Sequence, residues 1–305
     1  MNSVHSSSKD SAFGHGAAFV AYAIFGFNII ICKDLTSEGL IPPLGIFTLR
    51  SLVAGALFWI VSMFQPREQV ERKDYIKIFV ASMLGFLTCQ VTFLVGIPHI
   101  TPMDCSILTA MAPIYTMFVA AIAIKEPITF KKAGGVALSF AGIIYLIVSR
   151  VTAPGGTAES TPFGIFMIIL NSLSFSMYLG IFKPLIAKYS AVTFMKWIFL
   201  FSALVAAPIS MRGLVEVEWA AIPAKQYAEL AYLIICATFI TYFLIPLAQK
   251  RIRPTLISMY SYVQPIIAIA VSIAIGMDAL TWQKALATVL VFSGVVIVSR
   301  SRSAK

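Results

Sequence analysis

Long apolar runs separated by short polar breaks extend along almost the whole chain. Ten runs can be marked, each of roughly 18–24 residues, and about 20 helical residues cross the hydrocarbon core of a bilayer. The breaks at 65–67, 126–127 and 253–254 place proline beside charged residues, as in turns between helices. The pattern predicts ten transmembrane helices, near Gly14–Cys32, Leu44–Met63, Tyr75–Pro98, Met103–Ile124, Lys131–Val148, Phe163–Phe182, Thr193–Met211, Gln226–Ala248, Thr255–Gly276 and Thr281–Val298.

The composition agrees with a chain whose solvent is the bilayer. Of its 305 residues, 59% are hydrophobic and 12% are charged, and the mean hydropathy is +0.89. A soluble domain carries about 25% charged residues, and a water-soluble fold of this size could not bury so much apolar surface. We therefore predict an all-α polytopic membrane protein.

The second half of the chain repeats the first at an offset of 152 residues. Tyr75–Arg150 aligns without a gap on Tyr227–Arg302, and the identities include Pro113/Pro265. Membrane bundles duplicated in this way are common among secondary transporters. We divide the chain into a flexible N-terminus (1–13), a first repeat with helices 1–5 (14–150), a linker (151–162) and a second repeat with helices 6–10 (163–302).

The net charge of +10 predicts orientation and does not indicate nucleic acid as a partner. Seventeen basic residues fall in one set of loops and termini, five fall in the alternate loops, and Arg50 lies inside the second run. Because basic loops stay in the cytoplasm, both termini are predicted to be cytoplasmic. Five crossings per repeat is an odd number, so the second repeat should be inverted relative to the first.

The first repeat carries an ordered set of features: Arg50 early in helix 2, the stretch 96–101, Pro113 in mid-helix, Lys-Glu-Pro-Ile-Thr at 125–129, and small residues from Gly134 to Gly142. The second repeat has Pro265, the stretch 278–281 and Gly294 at matching places. This set, present twice, resembles the EamA-type transporters of the drug/metabolite transporter superfamily over about 14–150 and 162–301.

The resemblance implies a ten-helix fold with a central cavity and alternating access. Members of this family typically export or exchange small metabolites such as amino acids, nucleobases or sugars. The resemblance places helices 4 and 9 along the cavity and helices 5 and 10 on the outside as buttresses. Two departures leave the substrate open: Asp278 replaces the usual Glu, and Lys196 stands where Arg is expected.

The two mid-helix prolines are candidates for the transport pathway. Proline has no N–H to donate, so Pro113 and Pro265 free the carbonyls of Thr109 and Ser261 at membrane depth. The alternative is a kink that neighbouring helices satisfy. Hydroxyls share the same faces and could contact substrate, bond their own helix or join two helices; the candidates here are Ser106, Thr109, Thr116, Ser258, Ser261, Tyr262 and the adjacent amide Gln264.

Other polar side chains inside the apolar runs should face the interior of the bundle, in contact with ligand or with neighbouring helices. Gln90 and Tyr242 occupy matching repeat positions. The remaining candidates are Asn28, Thr88, Asn171, Ser174, Tyr178 and Thr241.

Arg50, about two turns inside helix 2, is predicted either to serve the pathway or to reach the interface as an anchor. Lys196 is its apparent counterpart at the start of helix 7, with the same two alternatives. No Asp or Glu falls at mid-membrane, so the sequence does not support proton coupling through carboxylates. The small residues of helix 5 indicate close packing, either as a buttress or in a homodimer.

The sequence carries no nucleotide-binding signature, no GxSxG and no HExxH. Its four cysteines form no CxxC pair, and its three histidines are scattered, so we expect no metal site and no cofactor. We predict a secondary transporter, not an enzyme, that moves a small polar metabolite such as an amino acid or nucleobase across a bacterial inner membrane. The alternatives are a nucleotide-sugar or sugar-phosphate antiporter and, in a different class, a membrane enzyme or scaffold.

Overall fold

A computed structural model describes residues 8–123, 129–151, 160–251, 260 and 262–300. All regular secondary structure in these ranges is helical. The helices are α1 (Ser8–Ser37), α2 (Pro43–Met63), α3 (Arg72–Ser82 and Cys89–Gly96), α4a (Pro102–Thr109), α4b (Ala112–Ala123), α5 (Phe130–Val151), α6 (Pro162–Ile181), a connecting helix (Lys183–Lys188), α7 (Ala191–Val215), α8 (Ala224–Ile234 and Thr241–Arg251), α9 (Val263–Ala274) and α10 (Trp282–Arg300).

Five helices in the described ranges are long and apolar enough to cross a bilayer: Ala12–Ser37, Pro43–Met63, Arg72–His99, Ala191–Val215 and Ala224–Ile245. Three further apolar helices in these ranges are shorter, at Pro162–Tyr178, Val263–Ala274 and Trp282–Val298. The chain is therefore an integral membrane protein built from helices. The full set of ten crossings stays a prediction.

Helix 4 was predicted to run from 103 to 124 with a kink at Pro113, and the structure divides it into α4a and α4b just before that proline. Pro113 has no N–H for the carbonyl of Thr109, so the α-helical ladder ends there. Helical hydrogen bonding resumes at Ile114, whose N–H donates to Met111 O at 2.8 Å. In the second repeat α9 likewise begins at Val263, two residues before Pro265; residues 252–259 and Ser261 lie outside the described residues.

Both α3 and α8 contain one π-helical stretch, and the two stretches are at equivalent repeat positions. They span Met83–Thr88 and Ile235–Ile240, an offset of 152 residues. In the second stretch the hydroxyl of Thr238 donates to Leu233 O at 2.7 Å. Such π-helical insertions inside α-helices are frequent at functional sites.

The helices of the two repeats pair with each other in a regular order. α2 packs on α7, α5 packs on α10, and α4a packs on α9. α1 lies against α8 and α9, while α6 lies against α3 and α4b. Exchanging the two repeats leaves this set of pairs unchanged. The described helices therefore form one bundle with internal pseudo-twofold symmetry.

Among the described residues, hydrogen bonds join equivalent repeat positions at two places. The Gln90 amide donates to the Tyr242 hydroxyl at 3.1 Å, and the Ser139 hydroxyl donates to Val291 O at 3.1 Å. Each pair is 152 residues apart. Two equivalent residues can meet only where they lie beside the axis that relates them. The axis therefore passes by these two contacts.

Small residues bring α5 and α10 together in opposite directions. A Cβ on Gly135 would lie 2.6 Å from Gly294 O, and one on Gly142 would lie 3.1 Å from Ala287 O. From Gly135 to Gly142 along α5, the contacted residue of α10 therefore changes from Gly294 to Ala287, so the two helices run in opposite directions. Only glycine at these positions allows the two backbones to approach so closely.

The glycines of α5 provide a matched test of this packing. Gly135→Ala should destabilise the protein by about 1–3 kcal/mol, because its Cβ must push α10 away. Gly134→Ala should be neutral or stabilising by up to about 1 kcal/mol, because its Cβ meets nothing within 4 Å and alanine favours the helix. The midpoint of thermal unfolding in detergent separates the two variants. Equal midpoints would contradict the described interface.

Candidate functional site

Arg50 is the largest fully buried side chain among the described residues, with 1% of its surface exposed. Its Nε donates to Thr238 Oγ1 at 2.9 Å, and its Nη1 donates to Gln90 Oε1 at 3.0 Å. The side chain is therefore directed into the bundle, between α2, α3 and α8, and does not reach the interface. In the described part of the chain, no carboxylate pairs with it.

Gln90 links Arg50 to the pseudo-twofold axis. Its amide accepts from Arg50 through oxygen and donates to Tyr242 through nitrogen. The Tyr242 ring contacts three other aromatic rings, those of Phe25, Phe86 and Phe199, at centroid distances of 6.4, 5.6 and 5.8 Å. The centre of the bundle is thus a short polar chain, Thr238–Arg50–Gln90–Tyr242, enclosed by aromatic rings. We call these four residues the Arg50 network.

The other predicted amides and Tyr178 lie around the same core and bond to protein. Asn28 accepts from the thiol of Cys32 at 3.5 Å, and Asn171 donates to Cys89 O at 2.7 Å. Tyr178 is buried against Gly85, where any Cβ would overlap its ring. The Asn28 contact stays within α1, while those of Asn171 and Tyr178 join α6 to α3, which is one of the two alternatives predicted for intramembrane polar groups.

The hydroxyls of the first proline stripe turn back onto their own helix. Ser106 donates to Met103 O at 2.7 Å, and Thr109 donates to Ser106 O at 3.1 Å. Pro265 is buried, and Tyr262 and Gln264 are half-buried in α9. The side chains of Pro113 and Thr116, and the whole of Ser258 and Ser261, lie outside what the structure describes.

Charged residues join the end of α1 to the start of α8. Lys225 pairs with Asp34 and lies 3.7 Å from Glu229, while Gln226 donates to Glu38. We call these five residues the α1–α8 cluster. Asp34 was not among the predicted candidates, because at the end of a run it could not be distinguished from a solvated helix end.

A second cluster joins the start of α3 to the segment that follows α6. Lys188 donates to Asp74 at 2.6 Å and to Glu71 at 2.5 Å, and Tyr189 donates to Asp74 at 2.8 Å. Hydrogen bonds from Lys188 and Lys73 hold the pKa of Glu71 below its ordinary value. We call this set the α3–α6 cluster. The α3–α6 cluster is the repeat equivalent of the α1–α8 cluster, because α3 in the first repeat corresponds to α8 in the second and α1 corresponds to α6.

Lys196 lies in a different setting from Arg50. Its ammonium is 4.8 Å from the centre of the Trp59 ring, at the rim of a crevice of about 420 Å³ between the end of α2 and the start of α7. This position agrees with the interfacial alternative.

Thr238 is the member of the Arg50 network that the sequence did not single out. A lone threonine in an apolar run is common in membrane helices and bonds its own backbone. The repeat alignment offered one signal. Position 238 is equivalent to Phe86, so the second repeat has a threonine hydroxyl where the first has an aromatic ring.

A sequence profile of the EamA-like transporter family matches residues 12–148 and 162–300. The chain belongs to this family. The two matched ranges fall on the two predicted repeats, which confirms the resemblance seen in the sequence.

Several relatives of this EamA-like chain are named as transporters. It is 24% identical over 297 residues to the uncharacterized transporter YcxC of Bacillus subtilis, covering 92% of this chain and 90% of that protein. It is 22% identical over 288 residues to the uncharacterized inner membrane transporter YicL of Salmonella typhimurium, covering 92% and 93%.

A third relative and a solved structure complete the comparison. An uncharacterized transporter of Archaeoglobus fulgidus is 25% identical over 153 residues, so the chain spans about half of that relative's length (52%). A crystal structure of a protein with 15% identity superposes with a TM-score of 0.62 over 95% of this chain and 97% of that one. This likeness shows a shared fold.

Two threonines of α8 allow the Arg50 contact to be isolated. Thr238 and Thr241 are both buried, and each donates to the carbonyl five residues earlier, but only Thr238 accepts from Arg50. Thr238→Val should therefore cost about 1–3 kcal/mol more than Thr241→Val, because a buried guanidinium loses an acceptor. Thermal unfolding in detergent measures the difference. Equal losses would show that the Arg50–Thr238 bond does not stabilise the fold.

Proposed function

We propose that this EamA-like protein is a secondary transporter, an exporter or exchanger, of a small polar metabolite. It works by alternating access of two inverted five-helix repeats around a site near the bilayer midplane. The observation that carries the proposal is the Arg50 network, a polar group inside an apolar bundle at the axis that relates the repeats. The name of the Salmonella relative favours the inner membrane.

Inversion of the repeats is supported by helix direction. α5 and α10 are equivalent helices, and their contacts show them to be antiparallel. α2 and α7 behave in the same way, because Thr48 lies near Ser210 at 2.7 Å while Phe58 stacks on Phe199. A twofold axis that relates antiparallel helices is perpendicular to the helix axes. If the helices cross the membrane, that axis lies in the membrane plane. The distribution of basic residues then favours cytoplasmic termini.

The two charged clusters are the gates in this proposal. In an inverted pair of repeats, equivalent features lie on opposite faces of the membrane. The α1–α8 cluster and the α3–α6 cluster would therefore close the outer and inner ends. Alternating access needs each cluster to separate while the other holds, and separation would expose the charged groups of the open cluster to water.

Uncoupled exchange or facilitated diffusion suits the placement of the acidic side chains. Asp34, Asp104, Glu229 and Asp278 lie in or beside the first two turns or the last turn of their helices. In the described ranges, the Arg50 network contains no carboxylate that could relay a proton.

Reconstitution in liposomes tests the proposed transport. We expect counterflow of at least one labelled amino acid, nucleobase or sugar, at a rate that is unchanged when a pH gradient is imposed. Liposomes without protein provide the blank. Strict dependence on the pH gradient would contradict the uncoupled mechanism, and absence of counterflow for all solutes would contradict the proposed transport.

Cross-linking the clusters tests the gates. Cysteines replacing Asp34 and Lys225, or Glu71 and Lys188, joined by a short bifunctional maleimide that can be cleaved by a reductant, should each stop counterflow. Cleavage of the linker should restore it, because the helix ends can separate again. The four single-cysteine variants are the controls. A cross-linked protein that transports at the uncross-linked rate would show that its cluster does not open.

A further inference from the structure

The Arg50 network contains two donors that make no hydrogen bond to the described residues. Arg50 uses Nε and Nη1, so Nη2 has no acceptor among the described residues. The Tyr242 hydroxyl accepts from Gln90, and its own hydrogen has no acceptor there either. Thr238 gives its hydrogen to Leu233 O. Two unused donors therefore lie on either side of Gln90, in the centre of the bundle.

We propose that Arg50 and Tyr242 bind a carboxylate of the transported solute, which makes the substrate a small organic acid or amino acid with one carboxylate. This inference rests on the proposed function and assigns the substrate class to its site. A carboxylate only accepts hydrogen bonds, so it complements the two unused donors. Arg50 would bind it through a charge-assisted hydrogen bond, and Tyr242 would donate the second bond.

The charge of the site favours an anion over a neutral solute. A buried guanidinium without a counter-charge is unfavourable, because Gln90 and Thr238 supply only neutral acceptors. An anionic ligand removes that penalty when it binds. A neutral amide or nucleobase can accept from the same donors, but it does not supply the negative charge that the buried guanidinium lacks.

A single cation limits how much negative charge the site can hold. A phosphate monoester carries about −1.5 to −2 charges at pH 7 and would remain unneutralised beside one guanidinium. Lys196 lies at a distant crevice and contacts Trp59. One carboxylate matches one Arg50, so the site favours a monocarboxylate over sugar phosphates and nucleotide sugars.

The rings around Tyr242 define the other part of the solute. Phe86 and Phe199 lie with their centroids 4.4 Å apart, and both contact Tyr242. The Phe47 ring also contacts Phe86, at a centroid distance of 5.2 Å. When the bundle opens at this level, an apolar or aromatic group attached to the carboxylate would pack against these rings.

Matched pairs of solutes test the carboxylate. Counterflow in liposomes is measured for phenylacetate against phenylacetamide, phenylalanine against phenylalaninamide, and phenyl phosphate, together with a neutral nucleobase. Each carboxylate should be preferred over its amide by roughly tenfold or more, as expected for loss of a charge-assisted bond. Phenyl phosphate should not be transported. Equal transport of carboxylate and amide, or preference for the phosphate, would overturn the assignment.

Substitutions test whether Arg50 and Tyr242 determine the preference for carboxylates over amides. Arg50→Gln should abolish the discrimination between carboxylate and amide, Arg50→Lys should retain it, and Tyr242→Phe should weaken carboxylate binding by roughly tenfold. Lys196→Gln should behave as the parent. If Arg50→Gln does not fold, the Arg50→Lys and Tyr242→Phe variants still decide the matter: unchanged half-saturation for phenylacetate in Tyr242→Phe would contradict the proposal.

The proposed transport and the proposed carboxylate site can be contradicted independently. Counterflow of the nucleobase without discrimination between carboxylates and amides would leave the transporter and remove the carboxylate site. Absence of counterflow for every solute would contradict both.

Discussion

Contact between equivalent residues is the constraint on which the rest of the structure depends. Gln90 touches Tyr242, and Ser139 touches Val291, each across 152 residues. Such contacts require the two repeats to face each other across one axis, with equivalent helices adjacent. The antiparallel α5–α10 and α2–α7 pairs and the two exchanged charged clusters fit that arrangement, and the two π-helical stretches lie at equivalent positions within it.

The lipid environment explains why the axis also carries the polar centre. Inside a bilayer, polar groups must be satisfied by protein, by water in a cavity or by a ligand. Gln90 donates to Tyr242 because the pseudo-twofold arrangement places them together, and its amide oxygen remains to accept from Arg50. A guanidinium can thus be held at 1% exposure without an acidic partner in the described residues. The Arg50 network is consequently short of negative charge, which the proposed carboxylate substrate would supply.

Much of the fold could be predicted from the sequence, because membrane helices and repeats leave strong patterns. The length of the hydrophobic runs predicts the helices, and the fixed offset places Gln90 and Tyr242 at matching repeat positions. The kink at Pro113 was predicted, because proline has no N–H to donate. The two π-helical stretches were not predicted, since a change of hydrogen-bond register has no hydrophobic signature. Arg50 was found as a charge in an apolar run, but its inward direction depends on Thr238, which the sequence did not distinguish from other threonines.

Inversion of the two repeats is the central claim, and the loops after α2 and α7 test it most directly. Gln69 and Ala221 are exposed, equivalent and 152 residues apart. Cysteines introduced singly at these positions are labelled in intact cells with a membrane-impermeant maleimide. The parent chain, whose four cysteines are buried or half-buried, is the blank. The account predicts that Ala221→Cys is labelled from outside and Gln69→Cys only after permeabilisation. Labelling of both from the same side would contradict it.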